Sequence, residues 1–208
     1  MTLRKADGVP ILVVRHAQQE REGDDGPLTA LGEAQAAATA PAVDLTSSDR
    51  LVSSNLLRAV QTATALGRAP ERFPDLDEFR FGQQWSWARA DDREDLALWR
   101  PEDRAAGGES LHEFQARVEG ALRALLRDPP TGRLVLVVHS GVLDAVLRWA
   151  FGLGPDTAWT TEVSAAHASI TELEYWPKGR HPTGAPRHTV LVRLGDVSHL
   201  PPDLISGQ

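Results

Sequence analysis

Pro10-Ile11-Leu12-Val13-Val14-Arg15-His16-Ala17 is the stretch that decides the fold. Four branched aliphatic residues in a row, with no polar interruption, read as a strand buried on both faces of a parallel sheet. The charge that follows stands at the C-terminal end of that strand, where open α/β sheets place their ligands. The same pattern recurs later: Leu134-Val135-Leu136-Val137-Val138 runs into His139-Ser140-Gly141 and then an apolar helix over 142–151. A histidine at the tip of a buried strand has to find polar partners, and functional sites are where such partners are assembled. Two of them point to one site.

Outward from these strands, Thr29 is expected to cap an alanine-rich helix that runs to about Pro41. Leu51-Val52-Ser53 reads as a short strand. A helix beginning at Ser54 follows, with Leu56, Val60 and Ala63 on one face and Gly67 as its stop. Arg58 falls in the first turn of that helix, where backbone donors favour an anion; taken alone it reads as a solvated charge. Ser110-Leu111-His112-Glu113 is a capping box, and Leu111, Phe114, Val118, Leu122 and Leu125 form the stripe of a helix ending near Arg127. Alternation from Ala168 to Tyr175, a Pro/Gly-rich loop over 177–186 and the run 189–194 read as an antiparallel pairing at the sheet edge.

From 79 to 108 the texture changes. Trp85, Trp87 and Trp99 accompany an acidic run over 91–95, and the segment reads as a helical lid insertion. The chain is thus expected to form one domain over 1–208: an α/β fold, a three-layer α/β/α sandwich. Its central sheet is mostly parallel, with an antiparallel edge strand, and the lid covers the end where the two histidines stand. The tail, 201–208, is expected to fray.

Composition narrows the function classes. A chain of 208 residues, 41% hydrophobic and 25% charged, has the make-up of an ordinary globular protein. A net charge of −7 speaks against nucleic acid as a partner, which asks for a basic face. No apolar run approaches a membrane span and the opening residues do not read as a signal sequence, so a cytoplasmic location without a membrane partner is expected. The absence of cysteine removes disulfides, thiolate ligands and cysteine nucleophiles. No pair of histidines shows metal-ligand spacing, so neither a metal nor a cofactor is expected. His112, His181, His188 and His199 read as loop or surface residues, while His167, just before a strand, could approach the site.

Six motifs, in order, carry a resemblance: Arg15-His16-Ala17; Pro27-Leu28-Thr29 with Gly32, Gln35 and Ala36; Ser53-Ser54 with Leu56, Arg58, Gln61 and Thr62; Leu76 and Glu78 with Phe81-Gly82; Gly108-Glu109-Ser110; and Val137-Val138-His139. Together they resemble the histidine phosphatase superfamily, in the branch that holds cofactor-dependent phosphoglycerate mutases and their phosphatase relatives. Ala17 and Ser140 stand where that family usually has glycine, and Glu22 lies in a shortened loop where the mutases carry asparagine. The resemblance implies that His16 is a nucleophile forming a phosphohistidine and that Arg15, Arg58 and His139 surround the phosphoryl oxygens. It also implies that Glu78, which alone would read as a surface glutamate, is the general acid. Gln18 and Ser140 are expected to contact substrate beside them. The implied activity is that of a phosphomonoesterase acting on a small phosphorylated metabolite. A phosphoglycerate mutase and a non-catalytic phosphate-ligand binding protein remain open at this point.

Overall fold

Two strands buried on both faces have to lie at the centre of a sheet, and they do. The computed structural model describes residues 8–20, 25–82, 100–104, 107–160, 162–177, 181 and 188–207. The elements in order are β1 (Val9–Arg15), α1 (Ala30–Val43), β2 (Arg50–Ser53), α2 (Leu57–Ala65), β3 (Glu71–Arg72), α3 (Leu111–Leu125), β4 (Leu134–Val138), α4 (Ser140–Ala150), β5 (Ile170–Trp176) and β6 (His188–Asp196). Short 3₁₀ turns cover Pro74–Leu76 and Pro202–Leu204. Most of the segment read as a lid, 83–99 and 105–106, lies outside the described residues.

The six strands run in the order β3-β2-β4-β1-β5-β6. The pairings from β3 to β1 are parallel, whereas β5 is antiparallel to both β1 and β6. Side chains alternate across the sheet. Ile11, Val13, Leu134, Leu136 and Val138 pack under α3 and α4 with Phe114, Leu122, Val142 and Val146. Leu12, Val14, Val135 and Val137 face the other way, against Val43, Ala59 and Ala63 of α1 and α2. Helices on both faces explain why the two strands carry no polar residue, and the result is the expected three-layer sandwich. Truncating one of these side chains, as in Leu136→Ala, costs about 2–5 kcal/mol.

The parallel register sets Arg15 opposite Val138, and the His16 amide donates to Val138 O at 2.8 Å. The tips of β1 and β4 therefore end side by side, each followed by its histidine. Local signals are realised as written in sequence: Thr29 Oγ1 accepts from Gly32 N, and Ser110 and Glu113 form a reciprocal capping box.

Three expectations are corrected. The helix read from Ser54 starts at Leu57, and its buried face is Arg58, Ala59, Thr62 and Ala63. Leu57 is 39% exposed. Small residues let α2 lie close to the sheet, and that closeness turns Arg58 towards the strand tips instead of solvent. Helix α4 begins at Ser140, immediately after His139. As far as Gly207 the tail does not fray: Gln35, fully buried on α1, donates from Nε2 to Leu204 O at 2.7 Å and to Ser206 Oγ at 2.8 Å. A polar tail looks loose in sequence because its partners are side-chain-to-backbone bonds from distant elements.

Candidate active site

His16 is 7% exposed, and its Nδ1 lies 2.8 Å from Ala17 O. A carbonyl can only accept, so Nδ1 carries the proton and Nε2 keeps its lone pair. Burial holds the imidazole well below its usual pKa, the Arg58 charge adds to this, and Arg15 and His167 contribute less; the bond to Ala17 pulls the other way. The ring is therefore neutral, with one nitrogen fixed and the other presented as a nucleophile.

His139 lies 5.1 Å from His16, centroid to centroid. It is fully buried and bonded at both ring nitrogens: Arg58 Nε donates to Nδ1 at 3.2 Å, and Nε2 meets Ser54 Oγ at 2.8 Å. A guanidinium can only donate, so Nδ1 is the acceptor and the ring proton sits on Nε2, donated to Ser54. Burial lowers its pKa well below the usual value, and competition with His16 for a proton and the charges of Arg58 and Arg15 reinforce the shift. Arg58 itself is 3% exposed and lies 3.7 Å from Asp25 Oδ1, which also accepts from Leu57 N at the start of α2. Ser54 reads in sequence as a helix start; it lies directly after β2, which pairs with β4, and that is what brings it to the histidine.

Glu78 reaches the start of α4, two residues beyond His139. Its Oε2 accepts from Gly141 N at 3.2 Å and its Oε1 from Phe79 N at 2.9 Å. A Cβ at Gly141 would come within 2.5 Å of Glu78 Oε1, so glycine there admits the carboxyl. Burial raises the Glu78 pKa, and the two backbone donors with Arg58 and Arg15 offset part of that rise. Phe79, 8% exposed and packed edge-on against Phe81 and Phe114, provides apolar cover next to Glu78. Trp85 lies outside the described residues.

Arg15 meets the tail. Its Nη1 donates to Ala165 O and, at 2.9 Å, to Gly207 O; its Nη2 donates to His167 Nε2 at 3.3 Å. His167 stands 5.6 Å from His16, and its Nδ1 lies 3.2 Å from Ser206 Oγ. Burial, helped by Arg15, lowers the His167 pKa to about 4. Gly207 adopts φ 73°, and a Cβ on it would overlap the His167 ring.

Gln18 is bonded within the fold. Its Oε1 accepts from Thr29 Oγ1 at 2.8 Å and its Nε2 reaches Ser206 Oγ at 3.5 Å, so it ties the loop after His16 to α1 and the tail. Gly32 is needed because a Cβ would collide with Gln18 O. Ser140 is half-buried at the first position of α4, beside His139. His112 pairs with Asp156 at 3.0 Å, away from these groups. Among the described residues no three His, Asp or Glu gather as a metal site, and no helix is long and apolar enough to cross a membrane.

A neutral histidine with a free nucleophilic nitrogen, two arginines, a second histidine and a carboxyl with a raised pKa suit attack on a phosphorus centre. A probable phosphoglycerate mutase GpmB of Proteus mirabilis (strain HI4320) is 30% identical, the match covering 91% of this chain and 94% of the relative. The structure of a mycobacterial glucosyl-3-phosphoglycerate phosphatase in complex with inorganic phosphate superposes with TM-score 0.72 at 26% identity, over 93% of this chain and 100% of that one. TTHB049 from Thermus thermophilus gives TM-score 0.60 at 36% identity, over 79% and 92% of the two chains. The family model for branch 1 of the histidine phosphatase superfamily matches residues 11–184, a span that takes in both strand tips and Glu78, and the chain belongs to that superfamily.

Proposed function

We propose that the chain is a phosphomonoesterase that hydrolyses a small phosphorylated metabolite through a phosphohistidine on His16. The observation that carries the reading is the fixed, neutral His16, its Nδ1 bound to Ala17 O and its ring beside Arg58 and His139. His16 Nε2 attacks phosphorus in line. The P–N bond forms as the ester P–O bond breaks, and Glu78 gives its proton to the departing oxygen. Water then attacks the phosphohistidine, the P–N electron pair returns to Nε2, and Glu78 takes the water's proton.

Charge on the transferring oxygens is met by Arg15, Arg58 and His139. In the resting geometry His139 offers Nδ1 as an acceptor to Arg58. An anionic ester draws Arg58 to its own oxygens, releases Nδ1, and favours a proton there through its charge. Ser140, at the start of α4, is placed to add a hydroxyl to the same pocket. These side chains supply the positive charge that a metal would otherwise bring, so the proposed reaction uses no cofactor.

A mutase reading draws on the name of the Proteus relative. Release of phosphate from a panel of phosphorylated metabolites, with phosphohistidine mapped to His16 by mass spectrometry, supports the phosphatase. Interconversion of 3- and 2-phosphoglycerate without phosphate release supports the mutase. A protein that binds phosphate and does neither would be a binding protein.

A further inference from the structure

The Glu78 loop is gripped from behind by one arginine. Arg117, on α3, donates from Nη1 to Asp75 O and Asp77 O, both at 2.9 Å, and from Nη2 to Glu78 O at 3.5 Å. Three carbonyls within four residues thus converge on one guanidinium. Glu109 fixes that guanidinium in turn: its Oε2 accepts from Arg117 Nε at 3.1 Å and its Oε1 from Arg117 Nη2 at 2.5 Å. Glu109 also closes on the far side of Glu78, where Oε1 accepts from Arg80 N at 3.0 Å and its own amide donates to Arg80 O at 2.9 Å. A Cβ on Gly108 would come within 2.6 Å of Arg80 O, so the segment preceding Glu109 lies flat against the loop. Both side chains of the ion pair are nearly buried, at 12% and 11% exposed, and the guanidinium sits 5.1 Å from the Phe114 ring.

An ion pair this buried is a poor route to stability, because desolvation consumes most of its attraction. Its geometry serves another end. The planar fork of arginine can hold several acceptors at fixed angles, which the point charge of lysine cannot. We infer that Arg117, locked by Glu109, is a positioning residue that holds the Glu78 carboxyl at Gly141 N in register with the leaving oxygen. The inference rests on Glu78 being the proton donor. It assigns a task to Gly108-Glu109 and to a helix whose sequence announced only core packing.

A misplaced proton donor hurts only the steps that need a proton, and displacement by about 1 Å costs on the order of 10²-fold. Arg117→Met is therefore expected to slow glycerol 3-phosphate hydrolysis by about 10- to 100-fold. With p-nitrophenyl phosphate it should keep a full burst of phenolate, about one per site, followed by slow turnover, because phenolate leaves without help. Inhibition by inorganic phosphate should stay within about twofold. Arg117→Lys should fall near Arg117→Met, since charge alone does not restore the fork. Glu109→Gln, which keeps an acceptor for Arg80 N, should show the same selectivity at about tenfold, and it carries the test if Arg117→Met does not fold. Equal losses on both esters with a reduced burst would make the pair merely structural and overturn the inference, as would unchanged glycerol 3-phosphate turnover. Glu78→Gln in parallel separates the two readings. No ester-selective loss there removes the proton-donor role itself, while selectivity there but not in the Arg117 and Glu109 variants removes only the positioning role.

Discussion

The tips of β1 and β4 look alike in sequence and are chemically opposite in the fold. Each is a buried aliphatic strand ending in a histidine, and the register of the parallel pair sets the two rings 5.1 Å apart. His16 has one nitrogen bound to its neighbour's carbonyl, which leaves the other to attack. His139 has both nitrogens engaged, by Arg58 and Ser54, so it can be polarised and protonated but not turned into a nucleophile without losing its supports. Burial lowers both pKa values. What separates the roles is the second bond on each ring, a feature that a strand pattern does not encode.

The sharpest way to break this comparison is to remove each ring. His16→Ala is expected to abolish turnover and phosphohistidine formation, whereas His139→Ala should leave a trace, slowed by about 10²–10³, the worth of one donor to developing charge. Phosphate release under enzyme excess measures both, and a phosphohistidine mapped to position 139 would reverse the assignment.

Glu78→Gln comes next. Alkyl ester cleavage should fall by about 10²–10⁴ while the first step with p-nitrophenyl phosphate stays nearly untouched. Equal losses on both esters would mean that the pocket, not the proton, was damaged.

Ser54→Ala removes the acceptor of the His139 proton and leaves a buried N–H unmet, at about 1–3 kcal/mol. A loss of about tenfold in kcat is expected, with His16 still phosphorylated in full. Were Ser54→Ala also to abolish phosphohistidine, the two rings would not be as separable as their bonds suggest.

The pH profile is a finer probe. In the proposed reaction His16 attacks when neutral, and its lowered pKa extends that form to pH values below the usual imidazole range. Glu78 donates when protonated, and its raised pKa extends that form above the usual carboxylate range. The kcat/KM of an alkyl ester should therefore rise on an acid limb below about pH 6.5 and fall on a limb above about pH 4.3, the ordinary values shifted towards a shared window. The second limb should be missing from the burst rate of the aryl ester. Smallest of all is the expected effect of a chelator: dialysis against EDTA should leave phosphate release unchanged, and rescue by added Mg²⁺ would contradict a pocket charged by arginine and histidine alone.

Strand and helix identity could be read because they follow local rules. The aliphatic runs of β1 and β4 and the Ser110 box are complete within a few residues. The resemblance pointed to His16, Arg58, His139 and Glu78, and the fold gathers all four. What escaped reading depended on pairs far apart in sequence. Arg58 looked solvated because only packing against the sheet shows which face of α2 is covered. The ties of Gln18 to Thr29 and Ser206 were not visible because those partners are supplied by other elements. Glu109 and Arg117, eight residues apart, looked like a motif and a helix surface until the Glu78 loop was laid between them.

The bond from Arg15 to Gly207 O joins residues 192 positions apart, and Gln35 adds a second strap to Leu204 and Ser206. Contacts of such long range are costly to close and form late in folding. The wall around His16 is therefore completed only when the last described residues dock, after the sheet that carries His16 has formed. A refolding chain should recover its far-ultraviolet signal before its phosphate release, and Gly207→Val, which would drive a side chain into His167, should widen that delay.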